Sequence, residues 1–177
     1  MSSNFIVLGA GAIGTWIIEE LLNYKASGTV KTLRVLSRSV SPYVPSGELS
    51  VPLLTKFRIF AEKNAIKTAN PEWFAKGAEF AQVDYSDIAT LVGLLKGIDV
   101  VFSTINPAAI KQQEAIGIAA KTAGVKLFVP SEYGIDTENA IEGEFLAKKR
   151  LCEFLKEIDL PYVKIFTGLW IDYCITP

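Results

Sequence analysis

The chain has 177 residues, half of them hydrophobic, and a mean hydropathy of +0.29, so it holds ample material for one packed domain. With 18 basic and 19 acidic residues its net charge is −1, which argues against a nucleic-acid binder that depends on phosphate contacts. Histidine is absent, which excludes a Ser-His-Asp triad and a histidine-ligated zinc site. The two cysteines, Cys152 and Cys174, are too few for a four-thiolate metal site and are typical of a reducing compartment.

The apolar stretch from Phe5 to Ile18 lacks the features of a secretion signal. No basic residue precedes it, and Glu19 and Glu20 follow it at once. It is also shorter than a bilayer-spanning helix. The sequence therefore predicts a soluble protein of the cytoplasm.

Runs of apolar residues alternate with runs of helical periodicity along the chain. Strands are predicted over residues 5–8, 33–38, 79–83, 99–103, 126–129 and 162–166. Helices are predicted after the first strand, after an N-cap at Ser86, from about Pro107 to Ala123 and from about Glu144 to Ile158. This alternation predicts a parallel α/β sheet with helices on both faces. We expect a doubly wound sheet of the Rossmann type, with six strands in the order common to such sheets, 3-2-1-4-5-6. We treat residues 1–177 as one domain with an irregular, proline-broken segment at about 39–78, where residues 53–65 could hold a helix.

The motif Gly9-x-Gly11-x-x-Gly14 lies between the first strand and the first helix. In this context the first glycine permits a tight turn, the second lets a pyrophosphate approach the backbone, and the third lets helix and strand pack closely. The N–H groups of Ala12 and Ile13 would face the anion at the positive end of the helix dipole. The motif therefore predicts dinucleotide binding, the alternative being a glycine-rich turn that serves packing alone.

The end of the second strand bears on the choice between NAD and NADP. An acidic residue there would bind the ribose 2′-hydroxyl of NAD, but this strand ends in Ser37-Arg38. A hydroxyl and a guanidinium suit a 2′-phosphate, so we predict NADP (NADPH) as the cofactor. The alternative is that Arg38 is an ordinary solvated cation.

Two further loops follow the fourth and fifth predicted strands, at the sheet edge where open α/β sheets bind ligands. Thr104 and Asn106 lie in the first of these loops, and Pro130 and Ser131 lie in the second. We expect them near the ribose and nicotinamide end of the cofactor. Taken alone, each loop could be an ordinary turn.

Lys148 lies in the middle of an apolar helical stripe. At 100° per residue it shares a face with Phe145, Leu151, Cys152 and Leu155. A lysine aimed at a core needs a ligand, a partner or a route to water, and desolvation of its ammonium suits acid–base work. The alternative is that the stem packs while the head reaches water.

At this point the sequence resembles the NmrA-like and isoflavone-reductase-like proteins, atypical members of the short-chain dehydrogenase superfamily. The glycine loop at residues 7–14 and the strand at residues 97–103 are similar to theirs. The stretch 119–134, which ends in Pro130-Ser131-Glu132-Tyr133-Gly134, matches the signature at their fifth strand, where a Phe is commoner at the place of Tyr133. The Tyr-x-x-x-Lys pair of the main dehydrogenase branch is absent, which favours the atypical branch.

The resemblance implies an NADPH-dependent reductase in which Lys148 is the catalytic lysine, holding the nicotinamide ribose and assisting proton transfer. It also implies that Arg38 meets the 2′-phosphate and that Thr104, Asn106 and Ser131 line the cofactor channel. The expected substrate is a small molecule, and aromatic compounds are candidates. An alternative is a non-catalytic module that reports the NADP(H) state to a protein partner.

Enzymes of this family continue well beyond the sixth strand, and those residues build most of the substrate pocket. We therefore expect this chain to hold the nucleotide-binding half, with the substrate lobe largely missing. Apolar surface where that lobe would pack favours self-association, so a homo-oligomer is a further expectation.

Overall fold

A computed structural model describes residues 3–38, 70–106, 109 and 111–169, in which five strands and five helices are found. The strands are β1 (Ser3–Leu8), β2 (Val30–Ser37), β3 (Glu79–Gln82), β4 (Val100–Ser103) and β5 (Leu127–Val129). The helices are α1 (Ala12–Ala26), α2 (Pro71–Ala75), α3 (Ile88–Leu95), α4 (Gln112–Ala123) and α5 (Gly143–Glu157). Their alternation confirms the predicted α/β class.

The five strands form one parallel sheet in the order β3-β2-β1-β4-β5. β1 lies at the centre, where Val7 pairs with Val35 of β2 on one side and with Phe102 of β4 on the other. The order reverses beside β1, which confirms the doubly wound arrangement. Ligands of such sheets bind outside the carboxyl ends of the strands at this reversal.

Hydrophobic side chains cover both faces of the sheet, because parallel strands flanked by helices are buried on both sides. On one face Val7 and Val35 pack with Ile18 of α1 and with Trp73 of α2. On the other face α3, α4 and α5 contribute the following buried residues: Leu91, Leu95, Ile116, Ala120, Leu151 and Leu155. The two cores hold the strand ends, and so the loops that follow them, in fixed relative positions.

The predicted sixth strand at residues 162–166 is wrong for this structure. Tyr162 makes a single parallel bridge to Phe128, with Phe128 donating to the carbonyl of Pro161 and Val163 donating to the carbonyl of Phe128. The next ladder bond would need the N–H of residue 130, and a proline has none. The chain therefore leaves the sheet, and Thr167 and Gly168 donate instead to the carbonyl of Gly134.

Two helix starts differ from the sequence prediction. The N-cap of α3 is Asp87, whose carboxylate accepts from Thr90 N at 3.0 Å, whereas Ser86 donates its own N–H and hydroxyl to Asp84. α4 begins at Gln112, and Pro107 lies outside the described residues.

The segment predicted to be irregular contains a short helix near its end. Asn70 caps this helix, α2, by accepting from Glu72 N at 3.0 Å, and Pro71 occupies its first turn. The helix considered for residues 53–65 lies outside the described residues. Among the helices described, none is both long enough and apolar enough to cross a membrane.

Candidate functional site

The glycine loop connects β1 to α1 and has the geometry of a close backbone approach. Gly9 adopts φ +95°, in the left-handed region, and its N–H donates to Leu36 O at 2.8 Å. A Cβ at Gly14 would lie 2.3 Å from Gly9 O, so this position has no room for a side chain. A Cβ at Gly11 would meet no atom within 4 Å, so Gly11 faces open space.

The amino terminus of α1 is accessible beside this open face. Gly11 is the N-cap, no side chain caps the helix, and Ala12 is exposed while Ile13 is half-buried. A helix start of this kind offers amide N–H groups and a partial positive charge to an anion. The open face of Gly11 and the uncapped start of α1 together leave space for a phosphate-bearing ligand.

Thr104 ties the glycine loop to the end of β4. Its hydroxyl lies 3.0 Å from both Leu8 O and Gly9 O, and its N–H donates to Leu8 O at 2.8 Å. These bonds fix the turn at Gly9. That Thr104 also lines the cofactor channel stays a prediction.

Arg38 follows β2 and is exposed, while Ser37 before it is buried. The Arg38 guanidinium donates to Gln112 Oε1 at 2.8 Å, and its central carbon lies 5.6 Å from the centre of the Tyr85 ring. Gln82 donates to the Arg38 carbonyl at 3.4 Å. The guanidinium is thus held between β2 and the start of α4, on the side of the sheet edge expected to receive the adenosine ribose.

The loops after β4 and β5 are joined by hydrogen bonds. Ser131 donates its hydroxyl to Ile105 O at 2.9 Å and its N–H to Oε1 of the buried Gln113 at 3.0 Å. Pro130 is buried and Asn106 is exposed. The predicted residues of both loops therefore meet at one edge of the sheet, together with the glycine loop.

Lys148 is buried on α5, as helical periodicity predicted, and only 8% of the residue is exposed. Its Nζ donates to the main-chain carbonyl of Glu132 at 2.7 Å. The ammonium therefore has a partner inside the protein, which disfavours the interpretation that its head simply extends into water. An ammonium has three donors, so this bond leaves capacity for a ligand.

Glu132 is 2% exposed, and both of its carboxylate oxygens lie 3.1 Å from Thr137 Oγ1. Cys152 Sγ lies 3.6 Å from Glu132 Oε1. Burial, and next the negative charge of Glu132, raise the pKa of the Cys152 thiol to about 12. Cys152 is therefore a neutral thiol at physiological pH, which argues against a nucleophilic role.

Several residues of this region were missed by sequence reasoning. They are Tyr85, Gln112, Gln113 and Thr137. Isolated polar residues carry no motif, and their partners lie 5 to 74 positions away along the chain. Glu132 was named only within the signature stretch 119–134 and was given no role of its own, although its place next to a strand end was a usable signal.

The polar groups at this sheet edge are mainly backbone amides, hydroxyls and side-chain amides, with the cations of Arg38 and Lys148. No group of three or more candidate metal ligands occurs among the residues that the structure describes. The open Gly11 face and the uncapped start of α1 lie at the carboxyl edge of the sheet, and the exposed Arg38 follows the neighbouring strand β2. Backbone amides and a guanidinium are groups that bind anions such as phosphate.

Comparison with known proteins gives a consistent family. A family model described as the NmrA-like family matches residues 1–174. Phenylcoumaran benzylic ether reductase POP1 of Populus trichocarpa is 34% identical over 103 residues, covering 55% of this chain and 34% of that protein. Isoflavone reductase of Glycine max is 31% identical over 126 residues, covering 61% of this chain and 40% of that protein.

A solved structure shares the fold. The leucoanthocyanidin reductase–NADPH complex of Vitis vinifera superimposes with a TM-score of 0.68 at 24% identity, over 93% of this chain and 49% of that one. The match thus spans about half of that structure's length, and the matches to the two reductases span a smaller share of theirs.

Proposed function

We propose, because the chain belongs to the NmrA-like family, that it is an NADPH-dependent reductase of the isoflavone-reductase type. In this proposal hydride passes from NADPH to a small organic substrate, for which aromatic compounds are candidates. The related proteins from Populus trichocarpa and Glycine max are reductases by name, and the Vitis vinifera neighbour is an NADPH complex.

The cofactor is assigned to the carboxyl edge of the sheet. The backbone of Gly9, Gly11 and Gly14 and the amides of Ala12 and Ile13 would hold the pyrophosphate. Ser37 and Arg38 would take the 2′-phosphate. Thr104, Asn106, Pro130 and Ser131 would border the nicotinamide half, and the Thr104 hydroxyl would also hold the glycine loop in place. When bound, NADPH supplies the hydride.

Lys148 is assigned the acid–base role, and its buried ammonium is the observation that carries the enzymatic part of the proposal. A buried charge is costly, and a side chain that served packing alone would be apolar. Lys148 instead holds its Nζ 2.7 Å from the carbonyl of Glu132, in the loop after β5 that is assigned to the nicotinamide half. From there it would bind the ribose hydroxyls and hold or deliver a proton.

The test combines binding and turnover. Purified protein is titrated with NADPH by calorimetry and then mixed with NADPH and a panel of benzylic ethers and isoflavones, while the absorbance of the reduced nicotinamide is followed. We expect binding, turnover of at least one substrate, and loss of turnover in Lys148→Met with the fold intact.

The outcomes separate the two functions considered from the sequence. Tight NADPH binding without turnover, unchanged by Lys148→Met, would favour the non-catalytic module that signals NADP(H) to a protein partner. Absence of heat with either NADPH or NADH would contradict both functions.

A further inference from the structure

Glu132 is a buried carboxylate to which the proposed reaction gives no role. It lies in the loop that follows β5, is 2% exposed, and has the Thr137 hydroxyl and the Cys152 thiol beside its oxygens. Removing a carboxylate from water is unfavourable, and one hydroxyl with one thiol compensates it only in part. An apolar side chain would fill this space without the free-energy cost of desolvating a carboxylate. The carboxylate therefore needs another explanation.

Glu132 contacts two successive turns of α5. Its main-chain carbonyl accepts from Lys148 Nζ at 2.7 Å, and its carboxylate lies 3.6 Å from the thiol of Cys152, four residues further along the helix. The same residue therefore holds the loop to the helix at one turn and binds the lysine ammonium at the other.

The carbonyl that receives Lys148 belongs to a sharp turn. Glu132 N donates to Pro130 O at 2.8 Å, and Tyr133 adopts φ +32°, in the left-handed region that bulky residues disfavour. Ser131 anchors the turn on its amino side through Gln113 and Ile105. On the carboxyl side the carboxylate of Glu132 supplies the corresponding anchor, because it holds Thr137 five residues ahead.

We propose that the Glu132 carboxylate is a positioning residue for Lys148. By holding the turn against α5, it fixes the direction of its own main-chain carbonyl and thereby the direction of the ammonium. This inference rests on the proposed cofactor-binding role of Lys148. It assigns Glu132 no contact with the cofactor and no proton transfer of its own.

A double-mutant cycle on NADPH affinity tests this coupling. Glu132→Gln, Lys148→Met and the double variant are titrated with NADPH by fluorescence, and thermal unfolding establishes that each one folds. We expect each single substitution to lower the affinity for NADPH about tenfold. The double variant should bind NADPH no more weakly than Lys148→Met. If Glu132 served the structure alone, Glu132→Gln would lower NADPH affinity by the same factor whether residue 148 is Lys or Met. That result would overturn the proposal.

Thr137 offers a second route to the same answer if Glu132→Gln does not fold. Thr137→Val removes the hydroxyl that donates a hydrogen bond to the Glu132 carboxylate, while Thr137→Ser keeps a hydroxyl there. We expect Thr137→Val to lower the affinity for NADPH only when Lys148 is present. Thr137→Ser should bind NADPH as tightly as the unsubstituted protein. Glu157→Gln, at an exposed carboxylate on the same helix, is the control for loss of negative charge.

The results distinguish this inference from the function on which it rests. Unchanged NADPH affinity in Lys148→Met would contradict the proposed role of Lys148. Weakened affinity in Lys148→Met, with Glu132→Gln and Thr137→Val at the original affinity, would leave that role standing and overturn the positioning inference alone.

Discussion

Arg38 illustrates how single side chains prepare this sheet edge for a ligand. Its guanidinium is bonded to Gln112 and lies over the Tyr85 ring within the range of a cation–π contact. Because part of its conformational freedom is already lost, less would be lost on binding a phosphate. The expectation that Arg38 selects NADP over NAD remains a prediction, and its geometry makes that prediction specific.

Replacing Arg38 by Ala should weaken NADPH binding about tenfold and NADH binding less than about twofold, since only NADPH carries the 2′-phosphate. Calorimetric titration of both cofactors measures the ratio. Arg150→Ala, which removes an exposed arginine of α5, should leave both affinities unchanged. Equal losses for the two cofactors in Arg38→Ala would remove Arg38 from cofactor selection.

The glycine loop allows a matched pair of substitutions. Gly11 has φ −74° and open space where a Cβ would stand, so Gly11→Ala should change the unfolding free energy by no more than about 1 kcal/mol. It should nevertheless weaken NADPH binding markedly, because the methyl group occupies the approach of the pyrophosphate.

Gly14→Ala is the contrasting change, because its Cβ would lie 2.3 Å from Gly9 O. We expect a loss of about 1–3 kcal/mol in unfolding free energy or failure to fold. Urea denaturation with parallel NADPH titration measures both effects. Full NADPH affinity in Gly11→Ala would contradict binding at this face.

Helix boundaries follow from local chemistry, and the structure shows where local signals compete. Ser86 is a good N-cap residue, yet Asp84 binds its N–H and hydroxyl, which leaves the cap to Asp87. At the other end of a helix the signal is unambiguous, because Gly124 ends α4 in the left-handed conformation at φ +79°.

At two glycines a Cβ would meet no atom within 4 Å, so substitution there tests only the backbone contribution to helix stability. Gly93 lies exposed within α3, so Gly93→Ala should stabilise the protein by about 0.5–1 kcal/mol. Gly124→Ala should destabilise it by about 1–2 kcal/mol, because an alanine resists the left-handed conformation. Thermal or urea denaturation measures both, and effects of the same sign would contradict the assigned helix end.

Four side chains that lose a proton at alkaline pH have raised pKa values in the folded chain. Burial raises the pKa of Cys152 to about 12, and burial also raises the pKa values of Tyr85 and Tyr133. The hydrogen bond to Glu138 raises the pKa of Lys164. All four groups therefore bind protons more tightly in the folded chain than in the unfolded chain.

Stability should accordingly fall at alkaline pH. For Cys152 the stabilising contribution is complete below its ordinary pKa of 9.0 and is lost as the pH rises toward about 12. Urea denaturation at increasing pH should show a falling unfolding free energy above about pH 9, with a shallower fall in Cys152→Ala. A pH-independent unfolding free energy in this range would contradict the raised pKa values of these groups.

Large apolar side chains are exposed along the carboxyl-terminal third of the described chain. They include Ile141, Phe145, Val163, Phe166 and Leu169. Exposure of this kind underlies the expectation of self-association. The oligomeric state itself stays a prediction, which sedimentation measures directly.

The amino-acid sequence was sufficient for the features that depend on short-range spacing. The strand–glycine–helix unit at residues 5–26, the position of Lys148 on an apolar helix face and the C-cap at Gly124 all follow from turn and helix geometry over a few residues. The order of the first five strands agrees with the order expected of a doubly wound sheet of the Rossmann type.

Features that depend on distant partners required the folded chain. The pattern at residues 162–166 is typical of a strand, but pairing ends at one bridge because residue 130 of the neighbouring segment is a proline. Gln112 reaches Arg38 across 74 positions, and Glu132 meets Lys148 across 16. Such contacts arise from the packing of the sheet and its helices, which periodicity along one chain segment does not encode.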